Sequence, residues 1–89
     1  MKRADILATA SEYVTTDRAA THGDAEDNFR RIAELWNAYL GADDITTIDV
    51  AVMLALLKVA RIRSNPNHAD NWIDIAGYAA CGGEIATGE

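Results

Sequence analysis

The chain has 89 residues, of which 49% are apolar and 25% charged, and its formal net charge is −6. These values are typical of one small globular domain spanning residues 1–89, and they exclude a disordered chain. The acidic balance also disfavours binding to duplex nucleic acid, which requires a basic footprint.

Two amphipathic helices are predicted in the first half of the chain. Apolar residues recur at helical spacing over residues 4–17. A polar connection follows, and a second helix is predicted over residues 25–40, with Asp24 as its N-cap and Gly41 as its stop. We expect the large aromatic residues of the chain to lie in the core: Phe29, Trp36, Tyr39 and Trp72.

The third predicted helix is the most apolar stretch of the chain. Thr46 opens it, and Asp49 three residues later completes a variant of the capping box. The helix is expected to end near Ile62 or Arg63. Because almost every side chain between these ends is apolar, the pattern predicts a helix that is buried on all sides.

Pro66 separates this helix from a fourth one, because proline lacks an amide donor and pushes the preceding residue out of helical geometry. The fourth helix is predicted over residues 68–85. Gly77, Gly82 and Gly83 are unfavourable inside a helix, so they indicate close approach of another helix, either within the chain or from a second copy. The sequence therefore predicts an all-α four-helix bundle with a small core. We expect a homodimer or higher homo-oligomer to complete it.

Three features of the sequence indicate the cellular compartment: its cysteine content, its N-terminus and the length of its apolar run. A single cysteine, Cys81, rules out an internal disulfide and fits a reducing compartment. The N-terminus has no apolar signal region, and the apolar run over residues 50–57 is too short to cross a bilayer. We expect a cytoplasmic protein with no membrane partner.

Two cations interrupt the third helix. Lys58 and Arg61 are three residues apart and share a face. They suit an anion clamp, in which Arg holds a phosphate bidentately and Lys supplies a point charge. They equally suit a helix end, where cations favour the negative end of the dipole.

Two acids open the fourth helix. Asp70 and Asp74 lie one turn apart, so an external cation or a cation of the third helix is expected between them. Mg²⁺ prefers such oxygen ligands and often adds substrate phosphates. Asn71 shares a face with Asp74, and Tyr78 lies one turn beyond it. The alternative is that Asp70 is an exposed first-turn acid and only Asp74 pairs with the third helix.

A polar cluster precedes the second helix. His22, Glu26 and Asn28 are its candidate site residues, with Glu26 a candidate catalytic carboxylate and His22 and Asn28 candidate substrate contacts. Helix capping alone accounts for Asp24 and for one further acid. Both readings of this cluster remain open at the level of sequence.

The residues together resemble a small phage-encoded domain of unknown function, over about residues 18–84. The segments that carry the resemblance are His22-Gly23-Asp24 with Glu26, Asn28 and Phe29, then Ile32-Ala33-x-Leu35-Trp36, Asp49-Val50-Ala51-Val52-Met53, Leu57-Lys58-x-Ala60-Arg61 and Asp70-x-Trp72-x-Asp74-Ile75-Ala76-Gly77-Tyr78.

A looser similarity extends to nucleotide-modification-associated phage proteins and to MazG-type all-α nucleoside triphosphate pyrophosphohydrolases. That similarity implies Mg²⁺-dependent cleavage of a nucleotide in the host cytoplasm. The MazG signature is Glu-x-x-Glu on one helix and Glu-x-x-Asp on another. Here Asn71-x-x-Asp74 stands at the second pair, and Asp24-x-x-Asp27 is the nearest substitute for the first.

Three functions are consistent with these residues. The first is a hydrolase in which Asp74, Asp70 and Glu26 carry the chemistry, Asp70 and Asp74 hold Mg²⁺, and Lys58 and Arg61 bind the phosphates. The second is a module that binds a nucleotide without cleaving it. The third is a structural or interaction protein whose charges only fix the register of the bundle.

Overall fold

The computed structural model describes residues 1–17 and 24–88, which form four α-helices and contain no strand. The helices are α1 (Arg3–Glu12), α2 (Ala25–Leu40), α3 (Thr47–Ser64) and α4 (Ala69–Thr87). The predicted all-α fold of four helices is confirmed. The first helix reaches Asp17 as expected, but its last five residues, Tyr13–Asp17, are π-helical.

The helix ends are set by local hydrogen bonds that the sequence predicts. Asp24 Oδ1 accepts from the amide of Glu26 at 3.2 Å and caps α2. Gly41 ends α2 in the left-handed conformation, with φ of 65°. Thr46 and Asp49 form a reciprocal capping box at the start of α3, with bonds of 2.9 and 3.2 Å.

The two C-terminal helices form the largest interface of the bundle, while α1 packs on α4 and α2 packs on α3. A Cβ added at Gly82 would lie 2.8 Å from the Cβ of Ala51 on α3, and one at Gly77 would lie 3.2 Å from Val14 Cγ1. The close approach predicted from these glycines therefore occurs within the chain. At Gly83 nothing lies within 4 Å of an added Cβ.

The core is small. Among the described residues, the buried apolar ones are Ala10, Phe29, Ala33, Val50, Ala51 and Ile73. The Cα radius of gyration is 13.6 Å, compared with about 12 Å for a compact chain of this length. Burial within one copy of the chain is therefore limited, as expected for a domain of this size.

The prediction that the third helix is buried on all sides is wrong for the isolated chain. Only Val50 and Ala51 of α3 are buried, whereas Val52, Leu56 and Val59 remain 51–58% exposed. The reason is geometric: α2 and α4 cover one side of α3, and no described element covers the opposite side.

Two of the four aromatic residues assigned to the core lie at the surface instead. Phe29 is buried and Trp36 packs against the core. Tyr39 is 89% exposed near the end of α2. Trp72 is 47% exposed, and its indole Nε1 donates to the carbonyl of Pro66 at 2.9 Å. The indole of Trp72 is thus hydrogen-bonded to the loop before α4.

Within the described ranges, none of the helices is long and apolar enough to cross a membrane.

Candidate functional site

One ion pair joins α3 to the first half of α4. Lys58 Nζ lies 2.8 Å from Asp74 Oδ2, and the two side chains are only 15% and 14% exposed. The predicted meeting of opposite charges between these helices is confirmed for this pair. Its low exposure distinguishes it from a surface salt bridge, because little water remains to compete for either charge.

The other two members of the predicted charge cluster do not join this pair. Arg61 is exposed, with no carboxylate of the described residues at ion-pair distance. Asp70 is 60% exposed, and its Oδ2 lies 3.9 Å from Nε2 of His68. The sequence places Asp70 one turn from Asp74, but Asp70 belongs to the first turn of α4, ahead of the point where α4 meets Lys58.

A pocket of about 530 Å³ opens beside Asp74. It lies between the end of α1, the first half of α2 and α4, with Leu54 of α3 in its wall. Five side chains with nitrogen or oxygen groups line it: Tyr13, Asn28, Arg31, Asp74 and Tyr78. The remaining lining is mostly apolar and includes Val14, Phe29, Ile32, Leu35, Ile73 and Cys81.

The sequence-predicted residues therefore divide into two groups. Asn28, Asp74 and Tyr78 line this pocket. Lys58 does not line it, but its ammonium group pairs with the carboxylate of Asp74. Asn71 of α4 is buried, with 5% of the residue exposed, and it does not line the pocket. His22 lies outside the described residues.

Glu26 takes a different position from the one predicted for a catalytic carboxylate. It is exposed and lines a second cavity of about 350 Å³, together with Asp24 and Glu84. Cys81 lines both cavities. Burial, followed by the nearby carboxylates of Glu84 and Asp24, raises the pKa of the Cys81 thiol above its ordinary value.

Arg31 is the pocket residue that sequence reasoning missed. It lies three residues after Asn28, so the two share a face of α2, and this spacing was the available signal. The aromatic wall is formed by Phe29 and Tyr78, whose ring centroids are 6.5 Å apart at an angle of 49°. The tilted arrangement is a common one for a packed aromatic pair.

The charges of the pocket are nearly balanced. Lys58 neutralises Asp74, so the carboxylate is not an isolated negative charge. Arg31 also lines the pocket, and within residues 1–17 and 24–88 no carboxylate lies at ion-pair distance from it. Arg31 and Asp74 in the lining, together with Lys58 behind Asp74, have formal charges that sum to +1, although the chain as a whole is acidic.

The described residues contain no group of three or more His, Cys, Asp or Glu side chains placed to hold a metal ion. Asp74 is engaged by Lys58, and Asp70 is largely solvated. A metal held at Asp70 and Asp74 would consequently depend on ligands supplied from outside the chain, such as phosphate oxygens.

Comparison with known proteins places the chain in a phage context. It is 51% identical over 74 residues to the Gene 55 protein of Mycobacterium phage L5, and 38% identical over 76 residues to the Gene 55 protein of Mycobacterium phage D29. These matches cover 83% and 85% of this chain but 47% and 50% of the relatives, so the chain spans about half of their length. No solved structure matches.

The family model described as "Domain of unknown function (DUF6378)" matches residues 5–86. This match covers nearly the whole chain and confirms the predicted resemblance to a small phage-encoded domain of unknown function. The chain belongs to the DUF6378 family.

Proposed function

We propose that the pocket between α1, α2 and α4 binds a nucleotide, and that the chain is a nucleotide-binding protein acting in the host cytoplasm. The observation that carries the proposal is the convergence of Asn28, Asp74 and Tyr78, three residues selected from the sequence, on one pocket of about 530 Å³. Pockets of this size, mostly apolar with a few placed polar groups, are typical small-molecule sites.

The charges at the pocket favour a phosphate-bearing ligand over a cation. Because Lys58 holds Asp74 at 2.8 Å, the carboxylate repels an approaching anion less than a free carboxylate would. Arg31 lines the same pocket. A guanidinium presents a planar fork of donors that matches a phosphate oxygen pair, and such charge-assisted hydrogen bonds are the strong ones.

The apolar part of the pocket suits the base of the nucleotide. Tyr78 is partly exposed and supplies aromatic surface, and stacking of a base on an aromatic side chain contributes about 1–3 kcal/mol. Asn28 and the Tyr78 hydroxyl offer donors and acceptors that can read the edge of a base. The proposal therefore places the base against Tyr78 and the phosphates at Arg31.

Hydrolysis is the second candidate, and it rests on the MazG resemblance together with the place of Asp74 in the pocket wall. A pyrophosphohydrolase of that type uses Mg²⁺ to neutralise the phosphates and activate water. The described residues fit such a metal poorly, because they assemble no cluster of three ligands and Asp74 is already paired. Binding without cleavage is the function that the geometry favours.

Titration calorimetry with a panel of nucleoside triphosphates, each with and without Mg²⁺, tests the proposal. Arg30 and Arg31 are neighbours on α2, but only Arg31 lines the pocket, whereas Arg30 pairs with Asp27 at 3.3 Å on the surface. We expect Arg31→Gln to raise the Kd about tenfold, the effect of losing roughly 1.4 kcal/mol. The matched control Arg30→Gln removes the same charge and should change the Kd less than twofold.

Equal effects of the two arginine substitutions on the Kd would contradict the proposed pocket. If no nucleotide binds, the proposal is wrong, and the charges are better explained as a structural salt bridge between helices. Release of pyrophosphate from the same panel separates the two candidates. Binding without release supports the binding module. Release that disappears in Asp74→Asn, with the helical circular dichroism spectrum retained, supports the hydrolase.

A further inference from the structure

The exposed side of α3 carries an ordered apolar stripe. Asp49, Leu56 and Arg63 are seven residues apart in turn, so they lie almost in line along the helix. Between them, the stripe is filled by Val52, Met53, Val59 and Ala60, all exposed. Val52, Met53, Leu56 and Val59 are 53%, 45%, 58% and 51% exposed. Contiguous exposed apolar surface is typical of protein interaction sites.

Opposite charges lie at equal distances on the two sides of Leu56. Asp49 lies two turns before Leu56, and Arg63 lies two turns after it, so the charges are about 21 Å apart. Asp49 uses Oδ2 for the capping bonds to Thr46. Arg63 is exposed, and none of the described carboxylates pairs with it.

We propose that a second copy of this chain covers the stripe, with the two α3 helices antiparallel and Leu56 at the two-fold axis. Antiparallel pairing places Asp49 of each copy opposite Arg63 of the other. Parallel pairing would instead set Asp49 against Asp49 and Arg63 against Arg63, which is repulsive. A two-fold interface requires a surface that is complementary to itself, and this stripe meets that requirement in charge and in apolar spacing.

The same arrangement accounts for the composition of α3. A helix that is apolar on nearly all sides is expected to be buried. Within one copy, α2 and α4 cover only the side that carries Val50, Ala51 and Leu54. Pairing of two copies would cover the opposite side. Gly77 and Gly82 of α4 are not part of this interface, since both have close neighbours within the chain.

Sedimentation equilibrium over a range of concentrations tests the pairing. The 9.6 kDa chain should sediment at twice its mass. Leu56 and Leu40 are similarly exposed, at 58% and 63%, but only Leu56 belongs to the stripe. We expect Leu56→Gln to raise the dimer dissociation constant tenfold or more, whereas Leu40→Gln should leave it unchanged. A wild-type chain that stays monomeric at about 100 µM, where a dimer with a Kd of about 1 µM would be almost fully formed, overturns the proposal.

Cross-linking tests the orientation. In a Cys81→Ala background, which removes the native thiol, Leu56→Cys should oxidise to a disulfide between copies because two residues at the axis face each other. A mixture of Asp49→Cys and Arg63→Cys chains should cross-link with each other. Self-linking of Asp49→Cys chains would show parallel pairing and overturn the proposed geometry. Circular dichroism of each variant confirms that the helices are retained.

Discussion

The ion pair between Lys58 and Asp74 should contribute measurably to stability. Replacing Lys58 by Met or Asp74 by Asn removes one charge and leaves the other with little water around it, because the side chains are 15% and 14% exposed. Breaking a pair of this kind costs more than breaking a surface pair, since the remaining charge loses its compensation. The perturbation is therefore a test of whether the two helices meet as the structure describes.

The magnitude follows from the geometry. At 2.8 Å, two unit charges attract by about 6 kcal/mol at an effective dielectric constant of 20. Desolvation of the two ions offsets most of this attraction. We expect a net coupling of about 2 kcal/mol, between the value of an exposed pair and that of a fully buried one. Each single substitution should then lower the Tm by roughly 10 °C for a domain of this size.

A double-mutant cycle in urea, at one fixed protein concentration, measures this coupling. The pair formed by Arg30 and Asp27 provides the control, because its side chains are 63% and 65% exposed at 3.3 Å. Its coupling should be about 0.3 kcal/mol, as for exposed pairs on one helix. A coupling between Lys58 and Asp74 that is no larger than this control value would refute the reasoning.

Two further predictions concern α4. Gly82→Ala should destabilise the protein, because the added Cβ would lie 2.8 Å from the Cβ of Ala51. Gly83→Ala should stabilise it by about 0.5–1 kcal/mol, since its added Cβ meets no neighbouring side chain within 4 Å and alanine favours a helix. Urea unfolding measures both free energies of unfolding, and equal effects would contradict the close contact at Gly82. Cys81 should react with iodoacetamide more slowly in the folded chain than in the unfolded one near pH 8, because its raised pKa leaves less thiolate. The same shift means that the unfolded thiol ionises first as the pH rises, so the free energy of unfolding should fall above the ordinary thiol pKa. Cys81→Ala should remove that part of the pH dependence, and an unchanged dependence would contradict the assignment.

Much of the fold was predictable because the helix ends carry local signals. Gly41, Pro66 and the capping box at Thr46 and Asp49 each act within a few residues, so the structure follows them closely. The covering of α3 was not predictable in the same way. Apolar residues indicate that a surface is buried, but they do not distinguish a partner within the chain from a second copy.

The candidate site was predictable only in part. Charges within an apolar stretch need partners, and this argument found the contact between Lys58 and Asp74. Spacing along α4 placed Asp70 on the same face as Asp74, but it did not show where α3 crosses α4. The sequence therefore left two alternatives open, and the structure agrees with the one in which Asp70 is an exposed first-turn acid and only Asp74 pairs with α3. Arg31 was missed because an arginine on an amphipathic helix is usually a solvated side chain.

The most direct test of nucleotide binding in the pocket uses the one cysteine of the chain, which lines it. The rate at which a maleimide labels Cys81 is measured with and without a saturating nucleoside triphosphate, in the wild type and in Arg31→Gln. The proposed site predicts that nucleotide slows labelling about tenfold in the wild type and much less in Arg31→Gln, as bound ligand excludes the reagent. Labelling that proceeds at the same rate with bound nucleotide would place the ligand elsewhere and contradict the proposal.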